Sequence, residues 1–140
     1  MNEKEPNKKP LLDDHRNNTL TAICKQIRES DSSVMSLTIA DANGDIRSQS
    51  YGAEYECEFL EKAAIVRSKA GVWAALMLGM EHEIDDVFGK TECIVRVHKN
   101  WKLMIVPFQS EKMILTLLTK KHVDSNNLMS KILPILDQIT

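Results

Sequence analysis

Apolar residues recur with a helical period at Leu20, Ile23, Cys24 and Ile27, spaced i, i+3, i+4 and i+7. That spacing predicts a helix with one buried stripe, capped by Asn17 or Asn18 and ending near Glu29, where Ser30-Asp31-Ser32-Ser33 breaks the pattern. The period then changes to two: Met35, Leu37 and Ile39 alternate with Ser36, Thr38 and Ala40, as in a half-buried strand. Asn43-Gly44 follows at once, a strong hairpin signal because both residues tolerate positive φ. Asp45 to Ser50 is the expected return strand, polar enough for a sheet edge.

The longest periodic segment runs from about Glu54 to Met80. Phe59, Ala63, Val66, Ala70, Trp73 and Met77 form the stripe expected to face the sheet, and Glu54, Glu56, Glu58 and Glu61 suit the positive end of a helix dipole. A loop or frayed continuation is expected over Asp85 to Gly89. Glu92 to His98 reads as a strand with Cys93, Val95 and Val97 on one face and Ile94, Arg96 and His98 on the other. Lys99-Asn100 turns the chain into Lys102 to Phe108, apolar enough to be buried on both faces. A turn at Gln109-Ser110-Glu111 leads to a third strand, Met113 to Thr119. The closing helix starts with Asp124 or Ser125 as its cap and buries Leu128, Ile132, Leu136 and Ile139, and Pro134 is expected to kink or break it.

The order is therefore α-β-β-α-β-β-β-α, an α+β domain with one five-stranded antiparallel sheet and helices on both faces. Its 140 residues fit one domain, assigned to residues 17–140. Residues 1–16 read as a flexible tail, because MNEKEPNKKP has too little apolar surface to offset the entropy of ordering. Basic residues there are not followed by an apolar run, so no secretory signal is expected, and no stretch is apolar enough to span a membrane. A net charge of −2 without a basic stripe argues against a nucleic-acid partner. Three scattered cysteines, Cys24, Cys57 and Cys93, suit a reducing compartment, and the cytoplasm is the default.

Catalytic constellations are sparse. Asp41, Asn43 and Asp45 imitate the start of a calcium loop, but Ile46 stands where that loop needs Gly and Gly52 where it needs Glu. His82-Glu83 opens like a zinc-protease helix, yet the second ligand position holds Asp86. Glu81, His82, Glu83, Asp85 and Asp86 read instead as a solvated acidic loop, a candidate surface for a basic partner. Cys57 or Cys93 as a nucleophile has no local support. No Walker A or GxGxxG sequence is present. The expectation is a non-enzyme without cofactor or metal.

The opening helix, VMSLTIADANGDIRSQS as strand–turn–strand, the long helix YECEFLEKAAIVRSKAGVWAALMLGM, TECIVRVHKNWKLMIVPFQSEKMILTLLTKK and the closing helix together resemble the roadblock/dynein light-chain family. The resemblance covers residues 18–140 and rests on the ordered set of eight elements. It implies a homodimer or heterodimer whose long helices lie side by side and whose edge strands continue one sheet. It also implies a platform or regulator for small Ras-like GTPases, or an adaptor in motor or signalling assemblies. Pro134 and the charged loop Glu81 to Lys90 depart from the family pattern.

The residues ask for a partner on their own account. Ile65, Val72 and Leu76 fall off the sheet-facing stripe, with Met80 at its margin, and from Val72 to Met80 the helix is apolar all round except at Gly79. A helix apolar on every side is buried on every side, here by a second subunit or by a loop or the closing helix of the same chain. Gly71 in mid-helix fits a close helix–helix approach. The candidate interface is Lys62, Ile65, Lys69, Val72, Leu76 and Met80 on the long helix, with Ile94 and Arg96 on the edge strand Glu92 to His98. Arg96 either joins cross-subunit pairing or guards the edge against it. Two other readings stay open: a PAS- or profilin-like small-molecule sensor, which needs a cavity that Phe59, Trp73, Met77, Met104 and Phe108 would tend to fill, and a purely structural subunit of a larger complex.

Overall fold

The computed structural model describes residues 8–51, 63–109 and 112–139. Helix α1 (Lys8–Ser30) leads into strands β1 (Val34–Asp41) and β2 (Ile46–Tyr51). Helix α2 (Ala63–Glu81) passes through a 3-10 turn (His82–Ile84) into the short helix α3 (Asp85–Phe88). Strands β3 (Ile94–Val97), β4 (Trp101–Phe108) and β5 (Met113–Lys120) precede α4 (Ser125–Leu136) and a final 3-10 turn, Asp137–Ile139. The five strands form one antiparallel sheet of order β2-β1-β5-β4-β3, so the expected fold class holds with one helical turn added after α2.

Faces follow from the period of two. Leu37 and Ile39 of β1, Met104 and Val106 of β4, and Leu115 and Leu117 of β5 point toward α1 and α4. They close a core with Leu20, Ile23, Cys24 and Ile27 of α1 and Leu128, Ile132 and Leu136 of α4. Ile105 and Ile114 point the other way, against Ala74 and Leu78 of α2. β1 is thus covered on both faces and not half-buried, because β2 and β5 flank it and helices lie above and below. β4 is buried on both faces at Met104, Ile105 and Val106, as its apolar run implies.

Polar side chains fix the joints. The Asp124 carboxylate accepts from the backbone N–H groups of Asn126 and Asn127 and caps α4. Lys102 Nζ donates to the Val123 carbonyl at 2.8 Å, tying β4 to the start of α4. α4 runs through Pro134 and gives way to the 3-10 turn after Leu136, two residues later than a break at the proline would come. Pro134 lies on the exposed side of the helix, so its ring meets solvent and not the core. α1 begins at Lys8, inside the segment read as tail. Pro10 falls in its first turn, where a missing N–H costs no helical bond.

Asp31 holds the α1–β1 turn together. Its Oδ1 accepts from the hydroxyl and backbone N–H of Ser33, and its Oδ2 from Lys131 Nζ of α4 at 2.9 Å. These donors, the Ser33 hydroxyl foremost, hold the carboxyl down at about 2 against an ordinary 3.8. A carboxyl depressed on folding stabilises the native state above its unfolded pKa, and that contribution is lost as pH falls from about 4 through 2. Acid titration followed by circular dichroism should therefore show stability falling in that window. Asp31→Asn should be less stable at neutral pH and flatter below pH 4. Parallel acid profiles for the two proteins would refute this role.

Candidate interaction surface

α2 meets the sheet through small residues. Gly71, Ala74 and Leu78 are buried, with Ala70, Ala75 and Met77 half-buried at the margins. The expected sheet-facing stripe is corrected here: Trp73 is 46% exposed. The contact face is turned by one residue, about 100°, from the one chosen by side-chain size. Its cause is a backbone-to-backbone approach. A Cβ on Gly71 would collide with the Gly44 carbonyl oxygen and lie 3.0 Å from Ala40 Cβ. A Cβ on Gly44 would lie 2.9 Å from Val72 Cα. Gly71 thus admits the β1–β2 turn, and not the second helix expected from its mid-helix position.

That turn is built to be met. Gly44 takes φ +90°, and among the described residues Asn43 does not share its positive φ. Asp41 Oδ1 accepts from the backbone N–H groups of Asn43 and Asp45, while Oδ2 accepts from Arg47 at 3.0 Å. Burial raises the Asp41 pKa, but the Asp45 and Asn43 N–H groups and Arg47 outweigh it and leave it lowered. The calcium-like pattern is accounted for by these hydrogen bonds of the turn.

With its small face on the sheet, α2 turns its large side chains outward. Val72, Leu76 and Met80, spaced i, i+4 and i+8, form a ridge beside Trp73, with Leu76 62% and Met80 73% exposed. Among the described residues nothing covers them, and α4 lies on the opposite face of the sheet. Lys69 is exposed on the same helix. Lys62 lies outside the described residues, as do Phe59 and the glutamates Glu54, Glu56, Glu58 and Glu61. Ile65 falls within α2, but its side chain is not described.

Beyond Met80 the apolar ridge continues through Ile84 to Val87 and Phe88, the last 79% exposed. The segment expected as a loop or frayed continuation is a continuation, a 3-10 turn and a helical turn that present these residues beside Glu81, Glu83, Asp85 and Asp86. His82 Nδ1 lies 2.8 Å from Asp85 Oδ2, and that hydrogen bond, with weaker help from Thr91, keeps the Asp85 carboxyl low. A cleft of ≈ 180 Å³ lies between α2 and the hairpin, lined by Ala42, Ala75, Leu78, Gly79, His82 and Ile114. It is smaller than the roughly 300–1,000 Å³ of small-molecule sites.

The edge strand contributes differently from expectation. β3 pairs with β4, and its other edge pairs with no strand among the described residues. Ile94, one of the candidate interface residues, sits half-buried against the Ala74–Leu78–Ile105 cluster, because its face of β3 lies beneath α2. Arg96 is exposed, and its guanidinium reaches Met77 Sδ at 3.9 Å, bringing edge strand and long helix into one surface. Val95 and Val97 face the α1–α4 side and are exposed. Cys57 lies outside the described residues, and neither described thiol is activated. Burial pushes Cys24 up to about 11 against a hydrogen bond from Ser48, and burial also raises Cys93.

Sequence comparison finds no matching family profile and no matching curated protein. Solved structures do match. MglB of Myxococcus xanthus superimposes with a TM-score of 0.70 at 13% identity, over 89% of this chain and 86% of that one. The Roadblock/LC7 domain from Streptomyces avermitilis does so with a TM-score of 0.67 at 11% identity, over 85% and 92%. This chain has the roadblock/LC7 fold. The gliding protein MglB from Thermus thermophilus matches at 0.65 and 8% identity, over 88% and 92%. The roadblock resemblance read from the order of elements thus holds at the level of the fold. Among the described residues no helix is long and apolar enough to cross a membrane.

Proposed function

We propose that this roadblock-fold chain is a non-enzymatic scaffold that pairs through the outer face of α2 and the β3 edge, with itself or with a related roadblock subunit. The paired platform binds a small Ras-like GTPase and alters its nucleotide state or its location in the cytoplasm. The observation that carries the reading is the uncovered ridge Val72, Leu76 and Met80, continued by Val87 and Phe88. Burying three or four such side chains is worth at most ~1.5–3 kcal/mol each before association costs. A two-fold pairing would double that area. The roadblock fold, with the partners its family implies, supports the GTPase as the further partner.

The test is a pull-down from native extract with GDP and with a non-hydrolysable GTP analogue. The expected result is recovery of a small GTPase whose amount changes with the nucleotide. Recovery of other subunits without a GTPase would reduce the function to a structural one, and a strictly monomeric protein at high micromolar concentration would remove the pairing itself.

A further inference from the structure

Gly79 is a glycine of α2 that the fold does not ask for. Gly71 is required by the close approach of the β1–β2 turn, but among the described residues nothing lies within 4 Å of a Cβ built at Gly79. Its φ is not positive, so it does not serve as a left-handed cap. Glycine weakens a helix interior, and an alanine would fit here. The missing side chain keeps open the cleft between α2 and the hairpin. Leu78 and Ile114, both buried, form its floor, and Ala42, Gly79 and His82, all exposed, stand at its mouth beside half-buried Ala75. At ≈ 180 Å³ the space is too small for most small-molecule ligands and suits one aliphatic or aromatic side chain brought from outside.

The charge around that mouth has one sign. From Glu81 to Asp86 the chain holds four acids and no Lys or Arg. His82 answers Asp85 at 2.8 Å, whereas the carboxylates of Glu81, Glu83 and Asp86 find no partner among the described residues. The turn that supplies Ala42 adds Asp45, and its Arg47 is held by Asp41 at 3.0 Å. Acids at a helix C-terminus oppose its dipole, so cations brought by a neighbour would relieve both the dipole and the like-charge crowding. Residues 52–62, outside the described part, carry Glu54, Glu56, Glu58 and Glu61, and that shared sign argues against them as the occupant.

We infer that this cleft is a docking site for a basic segment of a partner protein. The segment inserts one bulky aliphatic or aromatic side chain over Leu78 and Ile114 while its lysines or arginines meet Glu83 and Asp86. The apolar floor supplies the attraction, and the acidic rim selects segments of opposite charge and rejects acidic ones. The cleft faces the hairpin and not the Val72–Leu76–Met80 ridge, so the site does not rest on pairing through that ridge.

The experiment follows the fluorescence anisotropy of three labelled peptides titrated with the full chain. One has a leucine pair between flanking lysines, one has serines in place of the leucines, and one has glutamates in place of the lysines. The first should bind, and each of the others should bind at least roughly tenfold more weakly. G79L fills the mouth from an exposed position and should weaken the first peptide roughly tenfold, whereas G79A is too small to close it and should stay within about threefold of the parent. E83K/D86K should weaken it as much and flatten its dependence on salt. Circular dichroism and sedimentation of each variant, both expected to match the parent, keep loss of docking apart from loss of fold or of pairing. If G79L binds like the parent, or the serine peptide binds like the leucine peptide, the contact is one of charge alone and the cleft is not the site. If the glutamate peptide binds as well as the lysine peptide, or none of the three binds, the inference is overturned.

Discussion

Gly71→Ala lowers the stability of the fold by about 2–3 kcal/mol, roughly 5–10 °C in Tm at fixed protein concentration, although alanine is the better helix former. The methyl group would occupy the space of the Gly44 carbonyl oxygen, with Ala40 Cβ behind it. Neither neighbour is the free end of a flexible side chain: the first is backbone in a turn with Gly44 at φ +90°, and the second belongs to β1 within the sheet. Relief therefore requires α2 to lift from the hairpin, which loosens Ala74 and Leu78 from Ile105 and Ile114. Gly79→Ala is the control. Nothing lies within 4 Å of a Cβ built there, and Gly79 is exposed, so helix propensity acts alone and stability should rise by about 0.5–1 kcal/mol. Thermal denaturation of the two variants beside the parent checks both. Equal behaviour of G71A and G79A would mean that the approach of α2 to the turn is not as close as described.

The same contact explains where the sequence was readable and where it was not. The order of helices and strands along the chain was legible because periods of two and 3.6 survive at Leu37 and Ile39, and at Leu20, Ile23, Cys24 and Ile27, without knowledge of what packs against them. The Asp124 cap was legible for the same local reason. The inner face of α2 was not, because ranking apolar residues by size favours Trp73 and Met77, whereas a helix seated on a backbone turn needs Gly71 and Ala74. The small residues at 71, 74 and 75 were the available signal, and seeing why they mattered required the position of the hairpin. The half-burial of Ile94 was not legible, because alternation along β3 tells which residues share a face but not that α2 overlies this one. Val72, Leu76 and Met80 were legible as surplus, since a segment apolar all round exceeds what one sheet can cover. Val87 and Phe88 were missed because a four-residue helix is too short to show a period.

Leu76→Asp should abolish pairing while leaving the subunit folded. Leu76 is the middle of the apolar ridge, 62% exposed and not part of either core cluster. An exposed leucine contributes little to the stability of its own subunit, so an isolated chain should lose no more than about 0.5 kcal/mol and keep its far-ultraviolet circular dichroism. In a two-fold pair the substitution acts on both copies. It removes two apolar side chains, worth ~1.5–3 kcal/mol each when fully buried, and brings two unpaired carboxylates into the interface. Together these should raise the dissociation constant by at least about a hundredfold, read by light scattering coupled to size exclusion over a concentration series. Leu133→Asp is the matched comparison: Leu133 is 46% exposed but lies on α4, across the sheet, and should leave association unchanged. If both variants dissociate, the effect is one of general charge and not of this ridge. If neither does, the subunits meet elsewhere, and the β3 edge with Arg96, Val95 and Val97 becomes the surface to alter next.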